Sequence, residues 1–253
     1  MVRSAPFLFG LAFLAISSLP ATGWAVEIDN AVEYEKCMAE AGRSPGTAYI
    51  RALRWRDLGG GNGAAHCVAT AMVGMGHYKD AAARLEELAQ TARTEPAIRA
   101  QILGQATQAW LLADDPVRAE ASATAALALD PDSAELWVDR AQAMAARKDY
   151  RGALNDLDKA IGLDAGRADA FVFRATAKRY LDDLAGALAD IGEALRLNGD
   201  HVDGLLERGI LHRLTNNPAA ARNDWLMILS LEPESEAAAA ARRNLEHMDV
   251  KTQ

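Results

Sequence analysis

From Asn62 onward, apolar positions return at helical spacing inside a longer period. Ala81, Ala119, Ala153, Ala187 and Ala221 are separated by 38, 34, 34 and 34 residues, and Leu88, Ala126, Ala160, Ala194 and Ile228 follow seven positions later. In the first half of the units a larger apolar residue recurs as Leu103, Trp137, Phe171 and Leu205, with a small one four positions on: Thr107, Ala141, Ala175 and Gly209. Ala69 holds that small position in the first unit. Spacings of four and seven place side chains on one helical face. Each unit therefore reads as two amphipathic helices folded back on each other. The small residues let the helices approach, and the larger ones fill the gaps between them. A lone hairpin cannot bury its apolar stripe, so neighbouring hairpins must stack.

The breaks agree with the stripes. Asp114-Asp115-Pro116, Lys148-Asp149-Tyr150 and Asn216-Asn217-Pro218 divide units into halves. Asp130-Pro131, Asn198-Gly199 and Glu232-Pro233 close them. The longer first interval places about four extra residues around Thr91 to Pro96. Ser235 to Met248 reads as a lone helix covering the last hairpin, whose outer face has no neighbour. Ahead of the array, Ala31, Tyr34, Cys37, Met38 and Ala41 share a helical face that Gly42 ends. Ser44 as cap and Pro45 in the first turn start a second helix, reaching about Leu58. The run Gly59-Gly60-Gly61-Asn62-Gly63 reads as a flexible turn. It lacks the Gly-Lys-Ser/Thr that a phosphate loop requires.

Composition changes the picture at the N-terminus. Arg3 precedes the uncharged apolar run PFLFGLAFLAISSL, and small residues flank a cleavage position after Ala25. This reads as a cleavable signal peptide: the run is shorter than the ~20 residues that span a bilayer comfortably. No stable membrane insertion is expected after cleavage, and the expected location is periplasmic or secreted. The 253 residues carry a formal charge of −8, are 50% hydrophobic and only 6% aromatic. Alanine-rich helices suit that balance, and the acidity excludes nucleic acid as the expected partner. An oxidising destination favours a disulfide between Cys37 and Cys67 over free thiols or a metal site. Closing about 30 residues stabilises by about 3–4 kcal/mol in the chain-entropy picture.

These features resemble the tetratricopeptide repeat family over Asn62 to about Met248, most closely from Pro131 to Pro233. Trp137, Ala141, Tyr150, Ala153, Leu157 and Ala160 match the family pattern, whereas Ala65 and Ala123 stand where bulk is usual. The resemblance implies an all-α, right-handed superhelical solenoid of antiparallel helix pairs. The expected division is 1–25 signal peptide, 26–61 a degenerate helix pair tied on by the bridge, 62–235 five repeats, and 236–253 a capping helix and tail.

The resemblance also implies a concave face lined by the first helix of each hairpin. Along it lie Gln101, Gln108, Leu111 and Leu112, then Glu135, Val138 and Gln142. Asp169, Val172, Thr176, Arg179 and Tyr180 follow, then Leu206, Ile210, Arg213 and Leu214. Apolar patches beside Tyr180, Arg179 and Arg213 suit an extended peptide or a partner helix. Some members of the family clamp a terminal carboxylate with lysines and asparagines. Here those places carry His66, Gly104, Val138, Val172 and Leu206, so such a clamp is not expected. Arg140, Arg174 and Arg208 recur with Asp156, Asp190 and Asp224 at the repeat spacing, which favours structural clamps over a basic ladder. The five histidines form no metal pair four residues apart, and no nucleophile motif stands near them. The expectation is an envelope scaffold for an unidentified protein or peptide, without catalytic residues, metal or cofactor. Self-association through the groove or the terminal helix is the competing reading.

Overall fold

The computed structural model describes residues 28–250; the leader assigned above lies outside them. Among the described residues the chain forms helices joined by short turns, without a strand. They pair as α1 (Asn30–Ala41) with α2 (Pro45–Asp57), α3 (Gly61–Gly74) with α4 (Tyr78–Thr91), and α5 (Pro96–Leu112) with α6 (Pro116–Leu129). α7 (Ala134–Ala146) pairs with α8 (Tyr150–Leu163), α9 (Ala168–Tyr180) with α10 (Leu184–Leu197), and α11 (Val202–Leu214) with α12 (Pro218–Leu231). α13 (Glu236–Val250) packs on α12 and α11, as the first helix of a further unit would.

The turn inside each repeat has a physical signature. Asp114, Lys148, Asp182 and Asn216 adopt φ of 56°, 66°, 67° and 60°, and Gly76 takes 79° at the matching place. A single left-handed residue ends the first helix. The next residue caps the second: the side chains of Asp115, Asp149, Asp183 and Asn217 accept from Arg118, Gly152, Gly186 and Ala220 backbone N–H. Two expectations at the N-terminal end are corrected. The Ser44 hydroxyl makes no cap bond, and α2 starts on Pro45 alone. The glycine run is a packed element as well as a turn. A Cβ on Gly60 or Gly63 would fall 2.6 or 2.7 Å from the Trp55 ring. Gly61 already begins α3.

The first helices form the inner layer. α5 packs on α7, α7 on α9, α9 on α11 and α11 on α13, whereas successive second helices do not close on one another in this way. The core follows the alanine ladder: Ala81, Ala119, Ala153, Ala187 and Ala221 are all fully buried. Each lies in a cluster with larger side chains from its own or the adjoining hairpin, such as Leu157 beside Ala153. Cys37 and Cys67 are joined in a disulfide with their Cα atoms 6.2 Å apart, tying α1 to α3.

The extra residues of the long interval sit elsewhere than expected. α4 ends in register with α6, and the connection after it is no longer than the one after α6. α5 instead has 17 residues where α7 and α9 have 13. One additional helical turn, Pro96 to Arg99, extends α5 at its N-terminus. α3 and α5 are also not packed together as the later first helices are.

Candidate functional site

The opening between α3 and α5 holds two adjoining cavities. The first has a volume of ≈ 590 Å³. Its walls are the start of α1, the Trp55 ring with its glycines, the end of α4, and the added turn of α5, from which Ile98 projects at 46% exposure. The second has a volume of ≈ 430 Å³ and lies between α3, α5 and α7, with Gly104, Gln108, Leu136 and Asp139 in its lining. Gln101 and Gln105 line both. The two cavities therefore lie side by side along α5 and share part of its wall.

Across the opening runs a chain of hydrogen bonds. Tyr34 of α1 lies 2.8 Å from Nδ1 of His66 in α3, and Nε2 of His66 lies 2.6 Å from Oε1 of Gln105 in α5. An amide oxygen can only accept, so Nε2 donates to Gln105. Burial raises the Tyr34 pKa, which keeps it a donor. The imidazole thus links three successive helix pairs and bridges the gap where α3 and α5 do not pack directly.

Asp139 is the electrostatic anomaly of the second cavity. Its residue is only 6% exposed. Oδ1 accepts from Gln108 Nε2 at 2.6 Å, and no protein donor reaches Oδ2 among the described residues. Removal from water pushes its pKa up to about 6. The Gln108 bond and the charge of Arg167 oppose that rise, while Glu135 and Asp169 add to it.

The residues expected to line the concave face separate into groups. Gln101, Gln108, Leu112 and Glu135 line the second cavity. Val138 and Val172 are a correction: at 1% and 4% exposure they belong to the core, because the turn of helix that carries them faces the adjoining hairpin. Leu111 packs with Trp110 and Ala143. Leu206 and Ile210 are half-buried against the cluster that α12 and α13 complete. The Arg179 guanidinium is held in a fork by Glu207 of α11 and lies 4.4 Å over the Tyr180 ring, so it is not a free cation. Tyr180 stacks on Tyr150 at 4.4 Å with the rings nearly parallel. Asp169 accepts from Arg167. Thr176 bonds the carbonyl of Val172. Gln142 is half-buried on α7, and Arg213 and Leu214 are exposed at the end of α11. Trp110 and Trp225, at 2% and 0% exposure, are core residues as expected.

Tyr34, Trp55, Ile98, Gln105 and Asp139 were not assigned to a groove from sequence, and His66 was placed there only as a position that lacks a clamp residue. One signal was available. At the slot of Asp139 the other repeats carry Gln105, Phe173 and Glu207, which are exposed, half-buried and buried in turn, so residue type varies there. Glu207 is answered by Arg179, and Asp139 is not answered by any cation at bonding distance.

No family model and no curated protein sequence matches the chain. Solved structures do. A tetratricopeptide repeat protein from Parabacteroides merdae superposes with a TM-score of 0.69 at 14% identity, covering 86% of this chain and 85% of that one. The Cut9–Hcn1 hetero-tetramer of the APC/C gives 0.64 at 12% identity over 85% of this chain and 46% of that one. MamA from Desulfovibrio magneticus gives 0.54 at 17% identity, over 73% and 97%. With the repeat period, the paired helices and the inner layer of first helices, these likenesses establish that the chain has the tetratricopeptide-repeat fold.

Proposed function

We propose that the protein is an exported interaction scaffold of the bacterial envelope, holding an extended segment of a partner protein in the inner channel. The observation that carries this reading is that the two cavities adjoin and share Gln101 and Gln105, at the junction where added sequence lengthens α5. An extended segment crossing α3, α5 and α7 would meet an apolar wall at Ile98 and polar groups farther in. Rigid display suits such binding, since little ordering is needed when a segment docks. The Cut9–Hcn1 neighbour is by its name an assembly of two different proteins, in keeping with a scaffold reading for this fold.

In this reading residues 1–25 direct export and are removed, 26–61 wall the channel on one side, 62–235 form the array, and 236–253 close its end. Among the described residues no helix is long and apolar enough to cross a membrane, and the Cys37–Cys67 bridge suits an oxidising compartment. No reaction is assigned to the chain.

The test is in-cell photo-crosslinking from a reactive residue at Ile98 or Gln101, with Ala125 on the exposed side of α6 as control. Capture of the same partner from both inner positions and not from Ala125 supports the channel. Equal capture from Ala125, or none from the inner positions, overturns it.

A further inference from the structure

Asp139 is a carboxylate set where a protein normally avoids one. It is more than nine-tenths buried, one oxygen is bound by Gln108, and the other faces the second cavity without a protein donor. No buried polar atom among the described residues is sealed off without a partner, so the free oxygen is left open to the cavity. Gly104 lets α5 approach α7 closely beside it: a Cβ there would stand 3.2 Å from Oδ2 and 2.9 Å from Leu136. An ion without a counter-ion is expensive away from water, and the arrangement is stable in use only when something of opposite charge answers it.

We propose that this cavity receives the ammonium or guanidinium of a lysine or arginine side chain from the docked partner segment. The proposal rests on the channel reading given above and names the chemistry of its occupant. Asp139 supplies the buried charge, Glu135 a second carboxylate at the rim, and Gln101 and Ser133 side-chain oxygens for the remaining N–H groups of the cation. The acidity of the chain as a whole favours a basic segment over an acidic one. The polarity is opposite to that of a carboxylate clamp.

Titration offers a reading of the same site that needs no variant. The ionisable groups facing Asp139 are Glu135 on its own helix, Asp130 at the end of α6, and Arg167 with Asp169 at the start of α9. α5 and α3 present uncharged Gln108 and Thr70 there. With Asp139 protonating at about 6, affinity for a basic segment should weaken steadily as the pH is lowered below that value.

The experiment pans a display library of random dodecamer peptides on the purified protein at pH 7.5, in parallel with Asp139→Asn. Enriched peptides should share a lysine or arginine at one place. A synthetic copy should bind wild type at least tenfold more tightly than Asp139→Asn, and replacing its base by norleucine should lose the same factor. The two changes together should cost no more than either alone. Peptides that require Ile98 but lack a base, or that bind Asp139→Asn equally well, overturn the cation subsite and leave the channel standing. A library that enriches nothing, or only peptides indifferent to Ile98→Arg, overturns both. Should Asp139→Asn not fold by circular dichroism, the wild-type pH series decides: a basic peptide bound equally at pH 7.5 and pH 5 counts against the proposal.

Discussion

Gly209 of α11 lies so close to Trp225 of α12 that a Cβ on the glycine would fall 2.3 Å from the indole nitrogen. The pair is one packing unit in which volume has been moved across the hairpin. The corresponding pairs are Ala141 with Leu157 and Ala175 with Ile191, each within one core cluster. Where the second helix gained a tryptophan, the first gave up its last methyl group.

Gly209→Ala should therefore destabilise by about 1–3 kcal/mol, the usual cost of overpacking, although alanine is the better helix former. Adding Trp225→Leu should recover part of that loss, because the double change restores the pairing of the neighbouring repeats. Thermal or urea unfolding of the four-member cycle measures the coupling. Strict additivity would show that the two residues do not share a packing constraint.

The arginine–aspartate clamps differ in what remains when the arginine is removed. Arg140 donates Nε and Nη2 to Asp156 at 2.7 and 2.8 Å, and lies 4.8 Å over the Trp137 ring. Arg174 holds Asp190 in the same fork and also reaches Asp158, but Asp190 has Lys178 at 2.7 Å as well. Arg140→Met leaves a buried carboxylate without a cation and should cost roughly 3 kcal/mol. Arg174→Met should cost about half as much, because Lys178 stays. Chemical denaturation midpoints of the two variants give the comparison, and the reverse order would refute it.

The fold was legible because its determinants are local and repeated. Ala153, Ala187 and Ala221 announce close helix contacts by their spacing alone, and the Arg140–Asp156 type of pair announces itself by matched recurrence of both signs. The channel was less legible because it arises where the repetition fails. Four extra residues can lengthen a connection or a helix, and only the register of Thr91 with Leu129 shows that they became a turn of α5. His66 carries no signal of its tie to Gln105, since that bond depends on how far α3 and α5 stand apart. Val138 and Val172 were less legible for a related reason: whether a short apolar side chain on the first helix is covered depends on how closely the next hairpin packs, and here Ala170 and Leu211 share their clusters.

The disulfide makes a regional prediction. Cys37 and Cys67 are both fully buried and join α1 to α3. Replacing both by alanine should lower stability by about 3 kcal/mol. Hydrogen exchange should quicken in α1 and α2, whose packing lies at one end of the array, while α7 to α10 keep their protection. Uniform loss of protection along the whole chain would mean that the array unfolds as a single cooperative block.

Asp139 sets the sign of a pH effect on stability. An aspartate in the unfolded chain titrates near ~3.9, whereas in the folded protein this one holds its proton up to about 6. Between those values the native state binds more protons than the unfolded state, so the contribution of Asp139 to stability falls as the pH rises. Its cost is complete above the folded value and amounts to roughly 3 kcal/mol from the difference between the two titrations. Asp139→Asn keeps an oxygen for Gln108 and cannot ionise. It should match wild type near pH 4 and become progressively more stable than wild type up to pH 7.5, by about 1–3 kcal/mol. Paired melting curves across that range isolate the effect, since every other carboxylate is common to both proteins. A variant that is less stable than wild type at pH 7.5 would show that the charge is already satisfied within the fold.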